Sequence, residues 1–327
     1  RPSIDVRGDA LDADALLGDS NASPSDEPAA PVLPPSMAEA NIGLSATFNR
    51  FVYAQTPMRD FRLRARVEQG KLTIQRMNFK AYGGQVEADG TVIDLSSAPL
   101  RYDLRARLES MNAGALFSSW TSLGKTLTGS LDSSLELSGE GLEWNEMVET
   151  LAGGVTAEFA DGRFNGLDII GQTVQPLAQV VSLVRPGAVN AGDRFSTDFR
   201  RLAGQFKLER GRIGIPKGLD IETAAGRIDL GGSMGLDQTL ALKGELGLTP
   251  EMVSRLTGGK VKMNGPVPLG FSIGCSLTKP CVRNVDVKSA AADITKAAAT
   301  RALKSGATKA REEIESRLPP DTKKKVE

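Results

Sequence analysis

Gly70-Lys71-Leu72-Thr73-Ile74, followed by Gly84-Gln85-Val86-Glu87-Ala88-Asp89-Gly90, is written a second time in this chain. The second copy reads Gly211-Arg212-Ile213-Gly214-Ile215, then Gly226-Arg227-Ile228-Asp229-Leu230-Gly231-Gly232, about 140 residues further on. The glycines are spaced by 14 and 6 residues in the first copy and by 15 and 6 in the second. An Asp-Phe-Arg segment precedes each, Asp60 to Arg62 and Asp198 to Arg200. Short alternating stretches bounded by glycine read as strands joined by turns. A repeated β unit cannot bury its apolar face alone and does so by stacking on its neighbours. The two copies read as two turns of one continuous twisted sheet, a scaffold with a long surface.

Outward from the repeat, the two-residue period dominates. Phe61, Leu63, Ala65 and Val67 alternate with Arg62, Arg64 and Arg66; Leu104, Ala106 and Leu108 alternate with Arg105 and Arg107. The same parity holds for Leu131, Leu135 and Leu137, for Val155, Ala157 and Phe159, and for Val267, Leu269, Phe271 and Ile273. One apolar and one charged face per strand marks an antiparallel sheet with a wet side. The expected fold is mainly β with short α-helices: an antiparallel, twisted, groove-like (taco-shaped) sheet with capping helices and a carboxy-terminal helix.

Helix signals interrupt the strands. Asn112 can cap a helix running to Trp120, and Thr249-Pro250-Glu251 combines a cap, a first-turn proline and a first-turn acid. Leu142–Leu151 and Leu167–Val184 also read as helical, with Pro176 kinking or dividing the second. Val287–Leu318 turns helical and alanine-dense, with a narrow stripe of Leu303, Ala307, Ala310, Ile314 and Leu318. Residues 20–40 are rich in proline and read as an extended linker. The expected organisation is therefore 1–19 as the end of an upstream β region, 20–40 as linker, 41–286 as a β-groove domain holding both repeats, and 287–327 as a helical basic tail. Residues 288–327 carry ten basic and six acidic side chains.

Composition excludes several functions. Lys plus Arg and Asp plus Glu are equal at 40 each, which argues against nucleic acid as a partner. There is no histidine, so Ser-His-Asp and Cys-His nucleophile systems and histidine zinc sites are ruled out. The carboxylate pairs Glu143/Glu146 and Asp161/Asp168 read as solvated turns and helix faces. Glycine pairs such as Gly83-Gly84 lack the Gly-Lys-Ser/Thr ending of a phosphate loop. No enzyme activity, cofactor or metal is expected. Cys275 and Cys281 bracket a turn containing Pro280 and read either as a small disulfide loop, which belongs to an oxidising compartment, or as two free thiols on adjacent strands. No stretch reads as a membrane span; an anchor is expected upstream of Arg1.

Several segments resemble the carboxy-terminal region of the AsmA family, AsmA/TamB-like proteins of the repeating β-groove group. They are Asp9-Ala10-Leu11-Asp12-Ala13-Asp14 before the proline-rich linker, Ala81-Tyr82-Gly83-Gly84, and Leu151-Ala152-Gly153-Gly154 with the following Ala160 to Asp168. Gly265-Pro266-Val267-Pro268 and Leu277-Thr278-Lys279-Pro280 resemble the terminal strands. The resemblance covers roughly residues 4–300; the cysteine pair and the basic helical tail depart from it. It implies a periplasm-facing protein of a Gram-negative envelope, anchored in the inner membrane by an upstream segment. The implied partner is phospholipid, and an envelope protein is the other partner to expect. The implied work is outer-membrane biogenesis or lipid homeostasis.

The candidate groove residues are Leu63, Val67, Leu104, Leu108, Leu240 and Leu242. If they line an unfilled trough, acyl chains replace side-chain packing there. Packing against a facing sheet or the short helices is the ordinary use of such residues. The arginine rows read as a solvated outer face. The alternative function is a structural end-cap or assembly-factor domain that docks an envelope partner without lipid.

Overall fold

A computed structural model describes residues 2–17, 40–120, 126–141, 146, 149–165, 168–184, 197–276 and 279–317. Its strands are β1 (Ser3–Asp12), β2 (Asn41–Tyr53), β3 (Thr56–Glu68), β4 (Lys71–Ala81), β5 (Gly84–Ala88), β6 (Thr91–Asp94), β7 (Arg101–Asn112), β8 (Leu127–Glu140) and β9 (Ala152–Phe164). Then come β10 (Asp198–Glu209), β11 (Arg212–Thr223), β12 (Gly226–Gly235), β13 (Leu240–Leu248), β14 (Val267–Ser276) and β15 (Lys279–Arg283). The helices are α1 (Ala13–Leu17), α2 (Ala113–Trp120), α3 (Ile169–Val184), α4 (Pro250–Leu256) and α5 (Val287–Arg317).

All fifteen strands lie in one sheet, each beside its sequence neighbour apart from the β5/β6 pair. The predominantly antiparallel, mainly β architecture read from the alternation is present. One pairing departs from it. β1 joins β2 in parallel, Ser3 opposite Gly43 through Asp12 opposite Val52, so the sheet is mixed at that edge. Parallel neighbours need a long crossover, which residues 13–40 provide in length.

The repeat marks equivalent hairpins. Gln69-Gly70 and Arg210-Gly211 turn with positive φ at both residues (51° and 73°, 48° and 69°), the geometry that suits the twist of a two-residue hairpin. The third glycine separates the copies. At Gly90 the strand breaks, so β5 and β6 both pair with β4 and β7. At Gly232 the strand continues; a Cβ there would lie 2.2 Å from the carbonyl oxygen of Ala241.

From β2 onward every pairing is antiparallel, so strand ends alternate between two rims. The short turns at Gly70 and Gly211 and the β14–β15 hairpin share one rim. The five helices bounded above leave from the other, after β1, β7, β9, β13 and β15, whereas the helical residues Glu146, Glu149 and Thr150 lie between β8 and β9 on the first rim. Each start is capped by a short polar side chain where the strand ends: Asn112 Oδ1 accepts the Ala115 N–H at 2.9 Å, Asp168 Oδ1 that of Gly171 at 2.7 Å, and Thr249 Oγ1 that of Met252 at 3.1 Å. α3 runs through Pro176 as a single element. Leu142–Leu151 lies largely outside the described residues, as do the side chains of the stripe beyond Leu303.

Candidate functional site

The apolar face has two regimes. Near the helix-bearing rim, Met111, Leu131, Phe159, Leu202, Ile221, Ile228, Leu246 and Leu269 oppose one another in register across β7–β14. All eight are buried. The helices seal this row: Ile170, Val174 and Leu177 of α3 and Val253 and Leu256 of α4 are also buried in the core. α5 packs on β14 and α3, and Ala290, Ile294 and Ala298 are the residues it buries.

Further from that rim the rows are only half covered. Ala46, Leu63, Met77, Ala88, Ala106, Leu135, Val155 and Phe206 follow one another in register from β2 to β10. Every member is apolar, and every one except Ala88 is only half-buried. At the usual spacing between strands this ladder is about 33 Å long. A second row runs Leu104, Leu137, Gly153, Leu208, Ile213, Met234, Leu240 from β7 to β13. In it Leu104, Leu137, Ile213, Met234 and Leu240 are half-buried.

The six candidate residues thus sit at different places on this face. Leu63 is in the long ladder, and Leu104 and Leu240 share the second row. Val67 opposes Ile42 and Leu72, Leu108 opposes Val86, and Leu242 opposes Ile273. All six are half-buried. Leu108, Leu240 and Leu242 pack on the sealed core, whereas Leu63, Val67 and Leu104 do not belong to it. Met77 is a member that alternation conceals. Arg64 pairs with Arg76 and the next residue, Ala65, with Ile74, so Gln75 is an extra residue in β4 and the parity of the strand shifts there.

Polar groups on the apolar face are few. The Tyr102 hydroxyl is buried without a hydrogen-bond partner, and burial pushes its pKa up. The charged face carries the ion pairs. Arg201 bonds Glu158 at 2.8 Å and lies 3.5 Å from Asp220, which Arg227 reaches at 2.8 Å. The Arg201 guanidinium, hydrogen-bonded to Glu158, lowers that carboxyl's pKa. Arg62, Arg64, Arg105 and Arg107 are exposed and Arg66 is half-buried; none forms an ion pair among the described residues. Of the carboxylates weighed above, Asp168 is used as the α3 cap and Asp161 lies exposed in β9. Glu143 falls outside the described residues.

Cys275 and Cys281 are disulfide-bonded, with 5.7 Å between their Cα atoms, and staple β14 to the edge strand β15. Arg283 Nη2 donates to Cys275 Sγ at 3.3 Å. No helix among the described residues is long and apolar enough to cross a membrane.

A model of the AsmA family matches residues 19–217. This chain belongs to the AsmA family. The family is one of envelope proteins, with roles related to lipid transport and assembly, and is not a known enzyme family. The match takes in the whole of the long ladder, β2 to β10, and ends inside β11. In this AsmA-family chain the helices α4 and α5 and the disulfide lie beyond it. Neither the curated proteins nor the solved structures yield a match.

Proposed function

We propose that this AsmA-family chain is a non-enzymatic lipid-binding module that holds phospholipid acyl chains along the half-covered rows of its apolar face. The observation that carries the reading is the contrast between rows of one sheet. The row beneath the helices is buried throughout, while the ladder through Leu63, Met77, Leu135 and Val155 is apolar and incompletely covered. A contiguous apolar row left incompletely covered in this way suits a binding surface. An acyl chain gains about 0.8 kcal/mol per buried methylene, so even partial coverage holds a lipid. The reading places the protein in the periplasm, anchored to the inner membrane by a segment upstream, and the disulfide suits that oxidising compartment.

Native mass spectrometry of detergent-free protein is expected to show co-purified phospholipid, and photo-probes at Leu104 and Leu240 to crosslink to it. A lipid-free spectrum with no crosslinks from either position would sink the reading. That outcome favours a structural end-cap that docks an envelope partner, for which the sealing of the β8–β14 end by α3, α4 and α5 is the supporting observation.

A further inference from the structure

The chain is formally neutral, but the sheet does not spread its charge evenly. Residues 41–81, which make β2, β3 and β4, hold eight Arg and Lys side chains and two acidic ones; the rest of the chain holds 32 and 38. Pairing then sets cation against cation. Arg50 is opposite Arg59, Arg59 opposite Lys80, and Arg64 opposite Arg76. Like charges directly opposite one another destabilise a sheet, so these juxtapositions are not a device for stability. They are neutralised only in part. Asp60 takes Lys80 at 2.9 Å, while Arg50, Arg59, Arg64 and Arg76 form no ion pair among the described residues. On β9–β12 the same kind of face has its cations matched, Arg201 to Glu158 and Arg227 to Asp220.

Arg50, Arg59 and Lys80 meet around a hollow of about 380 Å³ at the helix-bearing rim, lined also by Pro57, Met58 and Tyr82. A hydrogen bond of 2.8 Å between the Thr56 and Tyr82 hydroxyls ties together the two turns that bound it. Guanidinium groups are planar forks that match phosphate oxygens. The apolar lining suits the glycerol end of a headgroup. Across strands the cations repeat at about 4.8 Å and along β3, at Arg62, Arg64 and Arg66, at about 7 Å. Such a two-dimensional array matches a surface of repeated single charges better than it matches one acidic segment.

We infer that the charged face of β2–β4 docks on an anionic phospholipid bilayer, with the Arg50–Arg59–Lys80 hollow receiving a headgroup phosphate. The array of exposed arginines is on the opposite side of the sheet from the half-covered ladder, so the inference stands whether or not acyl chains lie there.

The test is co-sedimentation with vesicles. At about 0.1 M NaCl the protein is expected to bind phosphatidylglycerol/phosphatidylcholine vesicles and not pure phosphatidylcholine, and to be released at about 0.5 M. The double variant Arg50→Gln/Arg59→Gln is expected to bind roughly 30-fold more weakly, with a melting temperature equal to or above the parent's. Lys207→Gln/Arg212→Gln, which changes net charge equally on β10 and β11, is expected to stay within about twofold of the parent. Equal binding to both vesicle types, or equal weakening by the two double variants, overturns the inference. So does a fall in melting temperature for Arg50→Gln/Arg59→Gln, which would make these cations structural. Release by millimolar inorganic phosphate at constant ionic strength would reassign the hollow to free phosphate. Binding to polyglutamate without binding to anionic vesicles would reassign the face to an acidic protein. Groove occupancy is read separately, by the lipid recovered in native mass spectrometry.

Discussion

Gly226 opens β12 at a φ of 148°, and a Cβ placed there would lie 2.0 Å from the carbonyl oxygen of Gly247 on β13. Backbone, not a flexible side chain, is what it would strike. Gly226→Ala is therefore expected to cost about 1–3 kcal/mol or more in urea denaturation. Thr249 is the complementary case. Its hydroxyl satisfies the Met252 N–H at the start of α4, and Thr249→Ala is expected to lose about 1 kcal/mol by the same measurement. Both roles were legible in the chain, because a repeated glycine and a Thr-Pro-Glu start are local signals. The extra residue at Gln75 was not. A bulge changes which face Met77 occupies, and only pairing with β3 reveals it.

At the scale of elements, the edge strand β15 is five residues long and is covalently held to β14 by the Cys275–Cys281 bond. The small loop it closes is worth about 2 kcal/mol by chain entropy. The double variant Cys275→Ser/Cys281→Ser should shift the denaturation midpoint accordingly, and reductant should lower the parent's midpoint but leave the variant's unchanged. The spacing of the cysteines allowed this bond or two free thiols. The hairpin register, Cys275 opposite Pro280 and Gly274 opposite Cys281, brings the sulfurs together.

The β9–β10 pairing carries a pH dependence. Glu158 has its pKa lowered from an ordinary value of 4.5, first by the Arg201 hydrogen bond and then by its charge. Lowered in the folded state, it contributes stability fully above the unfolded value and loses it as pH falls through the folded one. Glu158→Gln should therefore flatten the acid side of the stability profile below about pH 4.5 and leave the neutral side's slope unchanged. Thermal melts over that range check it.

At the scale of the molecule, the division into sealed and open rows predicts unequal costs for the same chemical change. Leu177, on the sheet-facing side of α3, is fully buried, and Leu177→Ala is expected to cost about 2–5 kcal/mol. Leu63 is half-exposed in the ladder, and Leu63→Ala is expected to cost about 1 kcal/mol or less, measured in the same denaturation series. Equal costs would mean the ladder is packed like the core. The same variant should reduce recovered lipid if the proposed function holds.

The chain by itself determined most strands from β3 onward, the alternation of their two faces away from the bulges, most turns and the starts of α2 and α4. These depend on a two-residue period and on capping groups within a few residues of one another. It did not determine the parallel pairing of β1. Nothing local distinguishes a strand that returns antiparallel from one that crosses over and lines up beside β2. Nor did it determine which alternating leucines are buried. Leu63, Leu104 and Leu131 carry the same pattern, yet their coverage depends on helices such as α3, α4 and α5 that arrive from distant parts of the chain and descend from one rim. Only the tertiary structure decided that, because burial is a property of what packs above a residue and not of the residue's neighbours in sequence.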